Sequence, residues 1–316
     1  MLTSLLQTAI IINVLASTVR IATPLLLGAL GELVTERSGV MNLGIEGTML
    51  MSSFTAFLVA YHTNSIPLAL AAAMLTGALM SLIMAFMAST LKVDQTVTGL
   101  SLNLLASGIS LFWYRVAFKG TSTESIPTIQ TMGTVKIPIL GDIPYLGQIF
   151  FNQGLLTYLA FIMVPVIAFF LYRTYTGLAI RSLGENPRAV DMKGINVTRL
   201  QYLAVLFGGV MSGLAGAFIT VGTLVRFLPE ITAGRGWLAL VIVIAGNWKA
   251  GRILLAALLF AFMDAFQLQL QGIGIQLPYQ ILLAAPYVLA IVVLMANRAR
   301  SLAPKHLGYP YIREEG

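Results

Sequence analysis

The chain has no cysteine, which removes disulfides, thiolate nucleophiles and cysteine-ligated metals together. Charge is also scarce: charged residues are 10% of the 316, where a soluble domain carries roughly 25%. There are two histidines, His62 and His306, and neither sits in a His/Asp/Glu cluster of metal-ligand spacing. No GxxxxGK[ST] phosphate loop occurs, so the chain does not hydrolyse ATP by that route. No GxSxG elbow occurs either. A non-catalytic role with no cofactor in this chain is the expectation. The first nineteen residues carry no Lys or Arg, so they do not read as a secretory signal with its basic start.

What is abundant is apolar surface. Hydrophobic residues make up 58% of the chain, with a mean hydropathy of +0.87. A soluble fold of this size cannot hide that much, whereas a bilayer accepts it in helices of about 20 apolar residues. The expected fold is an all-α polytopic transmembrane helical bundle of about 8–10 spans, some discontinuous or re-entrant. Polar-leaning stretches reach only about thirty residues, too short for a second core, so 1–316 reads as one transmembrane domain. The net charge of +7 raises nucleic acid as a partner. The cations cluster beside the ends of apolar runs instead, which points to membrane lipid and to topology.

Taken in order, apolar spans are expected at Leu5–Val34, Gly39–Ala60, Ile66–Thr90, Thr96–Tyr114, Gly154–Tyr172, Leu200–Val225, Ile253–Gln271 and Ile273–Asn297. Gly39, Gly44 and Gly47 open the second of these, where a broken or close-packed helix start is expected. Residues 115–153, with Pro127, Pro138 and Pro144, read as a structured external loop holding short strands or a small helix. Gly209 and Gly213 form a GxxxG pair, read as close packing within the fold in preference to a dimer contact. Gly236–Trp248 has only thirteen uncharged residues and is ambiguous between a crossing and a re-entrant segment. Charge placement decides for a crossing. With the basic loop 173–200 and the tail 298–316 on one face, thirteen cations lie inside against five outside. Nine crossings follow, with the N-terminus outside and the C-terminus cytoplasmic.

Few polar groups lie within the spans. Asn42, Glu46, Asn103 and Asp264 are the candidates for a translocation path, with Arg20 as a further intramembrane charge. Asn42 and Glu46 are four apart and would share a face if that stretch is helical. Each has a structural alternative: Glu46 paired with a cation near the cytoplasmic end, Asn103 and Asp264 bonding between helices, Arg20 snorkelling.

The polar stretch Arg173–Gln201 holds five of the nineteen Lys+Arg. Asn186 followed by Pro187 fits an N-cap and first helical position. Arg188–Lys193 then makes about two turns, and Gly194 suits the residue just past the helix end. Asn196 or Thr198 is placed to cap the following span. A short capped helix held between two spans is a rigid knob suited to contact another protein; the alternative is an ordinary structured loop.

GENPRAVDMKGINV in this loop, ATPLLLGALGELVTERSGVMNLGIEGTMLM at 22–51 and GRGWLALVIVIAGNWKAGRILLAALLF at 234–260 together resemble bacterial ABC-importer permeases. The similarity is greatest to the nucleoside branch, in a family that also holds ribose and branched-chain amino-acid permeases. The resemblance implies a membrane subunit that pairs with a second, related permease, often as a heterodimer. It implies a separate ATPase carrying ATP and Mg, and an external binding protein or lipoprotein that delivers solute. Gly184, Glu185, Asn186, Pro187, Ala189 and Gly194 would then belong to the segment that couples to the ATPase. The implied location is the bacterial cytoplasmic membrane, the implied solute a nucleoside. Simple sugars and branched-chain amino acids are the alternatives within the family. An ion-coupled secondary transporter is the rival outside it.

Overall fold

The computed structural model describes residues 2–118, 128–272, 279–297 and 302–312. Arg298, Arg300 and Arg313 of the expected tail, Lys119 and Pro127 of the expected loop, and 273–278 of the last expected span lie outside them. The chain is helical almost throughout: α1 (Leu2–Arg37), α2 (Ile45–Thr63), α3 (Ile66–Ala85), α4 (Gln95–Ala117), α5 (Leu146–Phe150), α6 (Leu155–Arg173), α7 (Tyr175–Glu185), α8 (Pro187–Asp191), α9 (Val197–Ala217), α10 (Arg235–Ala245), α11 (Ala250–Gly272) and α12 (Tyr279–Asn297). The α3 and α9 helices each run on into a π-helical turn, Phe86–Thr90 and Phe218–Thr223. Six of these helices are long and apolar enough to cross a bilayer, and α10 and part of α12 form shorter apolar stretches. The all-α polytopic bundle expected from composition is the fold observed.

The core forms where α1, α2, α9, α10 and α11 meet, with Leu25, Leu26, Leu30, Met49, Phe54 and Phe260 fully or nearly fully buried. α9 is the most enclosed of the long helices. Its Gly209 and Gly213 let α3 approach at backbone distance. A Cβ at Gly209 would fall 2.4 Å from the Gly77 carbonyl oxygen, and one at Gly213 would fall 2.4 Å from that of Ala73. The GxxxG pair is thus spent inside the chain, as read. In the loop 128–153, β1 (Val135–Lys136) pairs antiparallel with β2 (Asn152–Gln153) beside the short α5. Short strands or a small helix were the expectation there, and the loop holds both.

Two breaks in regular structure position everything that follows. Between α1 and α2 the chain turns at Gly39 (φ +87°) and re-enters the bundle without helix until Ile45. Asn103, against which α2 begins, lies about 12 Å along α4 from Gln95, well inside a 30 Å core. Beyond α9, the Val221 and Val225 carbonyls bond Met132 and Ile129 of the loop 128–153. The chain then descends as the irregular stretch Leu224–Gly234, with buried Phe227 against Phe54, Phe57 and Tyr114. α10 takes over at mid-depth; its 11 residues give about 16 Å, half the core. Its far end, Gly246–Trp248, reaches the level of Glu36 and Arg37 at the end of α1. The ambiguous Gly236–Trp248 segment is thus a half-length helix, Arg235–Ala245, preceded by the irregular stretch Leu224–Gly234. Such backbone is tolerated at membrane depth where protein covers it or it lines a cavity.

Candidate functional site

Arg173–Gln201 contains more helix than its sequence suggested. After α6 ends, Thr174 caps α7 by accepting from the Gly177 amide at 3.0 Å. α7 then folds back tightly enough that a Cβ at Gly177 would meet the Phe170 carbonyl at 2.0 Å. Asn186 Oδ1 accepts from the Ala189 amide at 3.1 Å, and Pro187 begins α8, as the cap pattern required. The helix is shorter than two turns. It closes at Asp191, and a turn through Lys193 leads to Gly194 at φ +77°. Asn196, not Thr198, caps α9, accepting from the Arg199 amide at 2.9 Å. Leu183, Val190 and Val197 bury together, with Tyr311 of the tail packed on them. Glu185, Asn186, Arg188, Met192, Lys193 and Gly194 face outward, Met192 at 76% exposure. A rigid two-helix knob with one open polar edge and an exposed methionine is the result.

The tail is built into this knob, a feature absent from the sequence reading. The His306 amide donates to the Gly184 carbonyl at 2.8 Å, and the Gly308 amide to that of Gly39 at 3.1 Å. The Leu302 amide donates to Asn247 Oδ1 at 2.6 Å, and the Tyr311 hydroxyl to Asp191 Oδ2 at 3.0 Å. One strap thus touches α7, α8, the α1–α2 break and the α10–α11 turn. A groove of about 580 Å³ separates it from α8, lined by Glu185, Arg188, Met192, His306, Pro310 and Ile312 among others. Burial pushes the His306 imidazole below its ordinary range. These contacts also put the basic stretch and the tail on one face, as the charge count required. A buried lock closes the same end: the Trp248 indole donates to the Glu36 carboxylate, and Arg37 Nη2 donates to the Trp248 carbonyl at 2.9 Å.

The four candidate path residues separate into two groups. Asn42 precedes α2 and accepts from the Gly44 amide at 3.0 Å, while its own amide donates to Glu32 Oε1. It does not share a helical face with Glu46, because glycine-rich backbone between them is turn, not helix. Asn103 spans the break: its Oδ1 accepts from the Gly47 amide at 2.7 Å and its Nδ2 donates to the Leu43 carbonyl at 2.8 Å. Glu46 makes no ion pair among the described residues. Its carboxylate accepts from Thr232 Oγ1 at 2.5 Å, the Gly234 amide at 2.9 Å and the Gly236 amide at 2.6 Å. It sits at the start of α10, where unpaired amides and the helix dipole favour an anion. Asn103 serves the start of α2 and Glu46 that of α10, so two helices beginning in mid-bundle are each satisfied by a side chain from the neighbouring element. Asp264 stands apart on α11. It lines a cavity of about 200 Å³ with Arg235, Gln267 and Tyr287.

Similarity to other chains agrees with this architecture. Residues 14–296 match the family described as branched-chain amino acid transport system / permease component. The guanosine ABC transporter permease protein NupQ of Bacillus subtilis is 38% identical, covering 95% of this chain and 96% of its own length. The putative glucose ABC transporter permease protein TsgC13 of Haloferax volcanii is 38% identical over 84% of this chain and 80% of its own. The nucleoside ABC transporter permease protein NupC of Lactococcus lactis is 33% identical over 93% and 95%. The same two bacteria hold second matches, NupP and NupB, each 24% identical over 77% and 76% of this chain and 70% and 68% of their own lengths. No solved structure matches. The chain thus belongs to the branched-chain amino acid transport system / permease component family, and is a multi-pass membrane permease subunit of an ABC transporter.

Proposed function

We propose that this permease imports a nucleoside, working with a second related permease, a separate ATPase and an external binding protein. The single observation that carries the solute reading is similarity over nearly the whole chain to permeases named for guanosine and nucleosides. The second, more distant permease from each of those bacteria supports a heterodimer. On this reading the face bearing α7, α8 and the tail is cytoplasmic, which the excess of Lys and Arg on that side supports. The N-terminus is then outside, in a bacterial plasma membrane. The segment holding Gly184, Glu185, Asn186, Pro187, Ala189 and Gly194 docks on the ATPase through its exposed Glu185, Asn186 and Gly194, with Gly184 and Pro187 buried as its support; the ATPase binds ATP and Mg and performs the hydrolysis. α8 is capped at both ends and backed by buried Leu183 and Val190, so it moves as a unit and passes force into α6 and α9.

Reconstitution with candidate ATPase, second permease and binding protein tests this directly. ATP-dependent uptake is measured across nucleosides, simple sugars and branched-chain amino acids. Saturable nucleoside uptake is the expected result; uptake of sugars alone sinks the nucleoside reading and favours the second one, which the 38% identity to TsgC13 supports. Replacing Pro187–Gly194 by a flexible linker should leave the protein inserted and abolish ATP-driven uptake. Normal uptake by that variant would remove the docking role, and uptake driven by an ion gradient without ATPase would favour a secondary transporter.

A further inference from the structure

Part of the bundle's surface is polar where a lipid-facing surface cannot be. Arg20 on α1 and Tyr287 on α12 are exposed, while Arg235 and Asp264 are half-buried. Measured along their helices from the end that carries the tail, Tyr287 and Arg235 lie about 15 Å up, Asp264 about 21 Å and Arg20 about 26 Å. All four therefore fall within a hydrocarbon core about 30 Å thick. Ionisable side chains at such depth face protein or a water-filled cavity, not lipid. Elsewhere the exposed helix surfaces present Leu75, Leu104 and Phe169. Two cavities of about 200 and 270 Å³ lie here, and they share Ile21, Arg235 and Leu268. Arg235 and Asp264 line the first without a direct ion pair between them among the described residues. Arg235 Nη1 donates to the Thr232 carbonyl at 3.2 Å, and the remaining polar atoms of both side chains face the cavity, unlike the Glu46 carboxylate, whose oxygens are both occupied by the start of α10.

We propose that this cleft between α1, α10, α11 and α12 lines the translocation path, and that Arg235 and Asp264 are its solute-contact groups. A carboxylate accepts from vicinal hydroxyls, a guanidinium donates to carbonyl and ring-nitrogen acceptors, and Gln267 does either. An uncharged solute bearing a diol at one end and acceptors at the other bridges the two; a nucleoside has that pattern, and this inference rests on that reading. Opposite charges facing across the cleft disfavour a solute of either net charge. The cleft is also placed to change shape. Glu230, Ala233 and Gly234 before α10, and Asn247 and Trp248 after it, all have positive φ. The Tyr287 hydroxyl donates to the Ala233 carbonyl at 3.3 Å, and Asn247 holds the tail. Displacing α10 therefore moves Arg235 relative to Asp264.

The absence of native cysteine makes the test direct. Arg20→Cys and Tyr287→Cys are made singly in the assembled importer, with Leu75→Cys and Leu104→Cys as lipid-face controls. Each is treated in vesicles with a membrane-impermeant methanethiosulfonate. Cleft positions should react faster than controls and be slowed by transported solute; rates equal to the controls overturn the proposal. Asp264→Asn and Arg235→Gln should raise the uptake KM about tenfold, the loss of one charged hydrogen bond. Unchanged KM in both removes their contact role. Protection is assayed with nucleosides, sugars and amino acids separately. Protection by sugar alone keeps the cleft and sinks the nucleoside reading, whereas nucleoside uptake with unreactive cleft positions keeps that reading and sinks the cleft.

Discussion

Glu46→Gln separates a cap from a solute contact. The carboxylate accepts three hydrogen bonds, from Thr232, Gly234 and Gly236, and two of the donors are backbone amides at the start of α10. Glutamine keeps one carbonyl oxygen and turns the other position into a donor, so at least one amide is left facing an NH2 group. A hydrogen bond to a charged group contributes about 1.5–3 kcal/mol, and an orphaned buried donor costs about 1–3 kcal/mol. Loss of the anion at the helix start removes up to about 2 kcal/mol more. These terms overlap, so the expected cost is about 2–4 kcal/mol, or roughly 30- to 1000-fold in the equilibrium for opening the first turn of α10. Hydrogen exchange on the protein in nanodiscs reads that opening in a peptide covering 232–240. Faster exchange there, with little change in α6, is the expected outcome. Glu230→Gln is the control, because Glu230 is exposed and its side chain bonds only the Ser107 hydroxyl among the described residues. Unchanged exchange in Glu46→Gln, accompanied by an altered solute KM, would refute the capping argument and return Glu46 to the path.

Other parts of the structure make equally direct claims. Asn103→Leu orphans the Gly47 amide and the Leu43 carbonyl, and should lower stability in detergent by about 2–4 kcal/mol, read as a drop in thermal midpoint. Gly213→Val places a side chain against the Ala73 carbonyl, which is backbone and cannot move aside; the expected outcome is failure of α3 to pack on α9, seen as loss of monodisperse protein by size exclusion. Tyr311→Phe removes the bond to Asp191 and should weaken tail attachment by about 1 kcal/mol, measured as faster proteolysis of the tail. His306 has a partly buried imidazole whose Nε2 lacks a hydrogen-bond partner among the described residues. Its pKa is lowered on folding by burial, so the unfolded or detached tail binds the proton first. Stability from this group is present above the ordinary histidine pKa near 6.5 and is lost as pH falls through the lowered value. Tail proteolysis should accelerate on acidification, and His306→Gln should flatten that dependence.

What was legible in the sequence was local or imposed by the solvent. A bilayer demands long apolar runs, so most crossings could be counted. Asn186, Pro187 and Gly194 act through backbone conformation within a few residues, so the cap of α8 was readable. α7 was missed because it is short and amphipathic and its start rests on one threonine hydroxyl inside a basic stretch. The tail was missed because its partners Gly39, Gly184 and Asn247 are far away in sequence and contribute backbone or amide groups with no compositional mark. The harder question was what a polar residue inside a span is for. Asn103, Glu46 and Asp264 look alike in sequence: each is a single polar side chain among apolar neighbours. The distinction appears only when hydrogen-bonding capacity is counted in space. Glu46 is bound by partners 186 to 190 residues away, and Asn103 uses both ends of its amide on the start of α2. Their polarity is consumed in closing two interrupted helices. Asp264 and Arg235 instead face a cavity. Where irregular backbone crosses a membrane, intramembrane polar groups have two employers, the helix breaks and the solute, and those left over after the breaks are satisfied are the ones to test for transport.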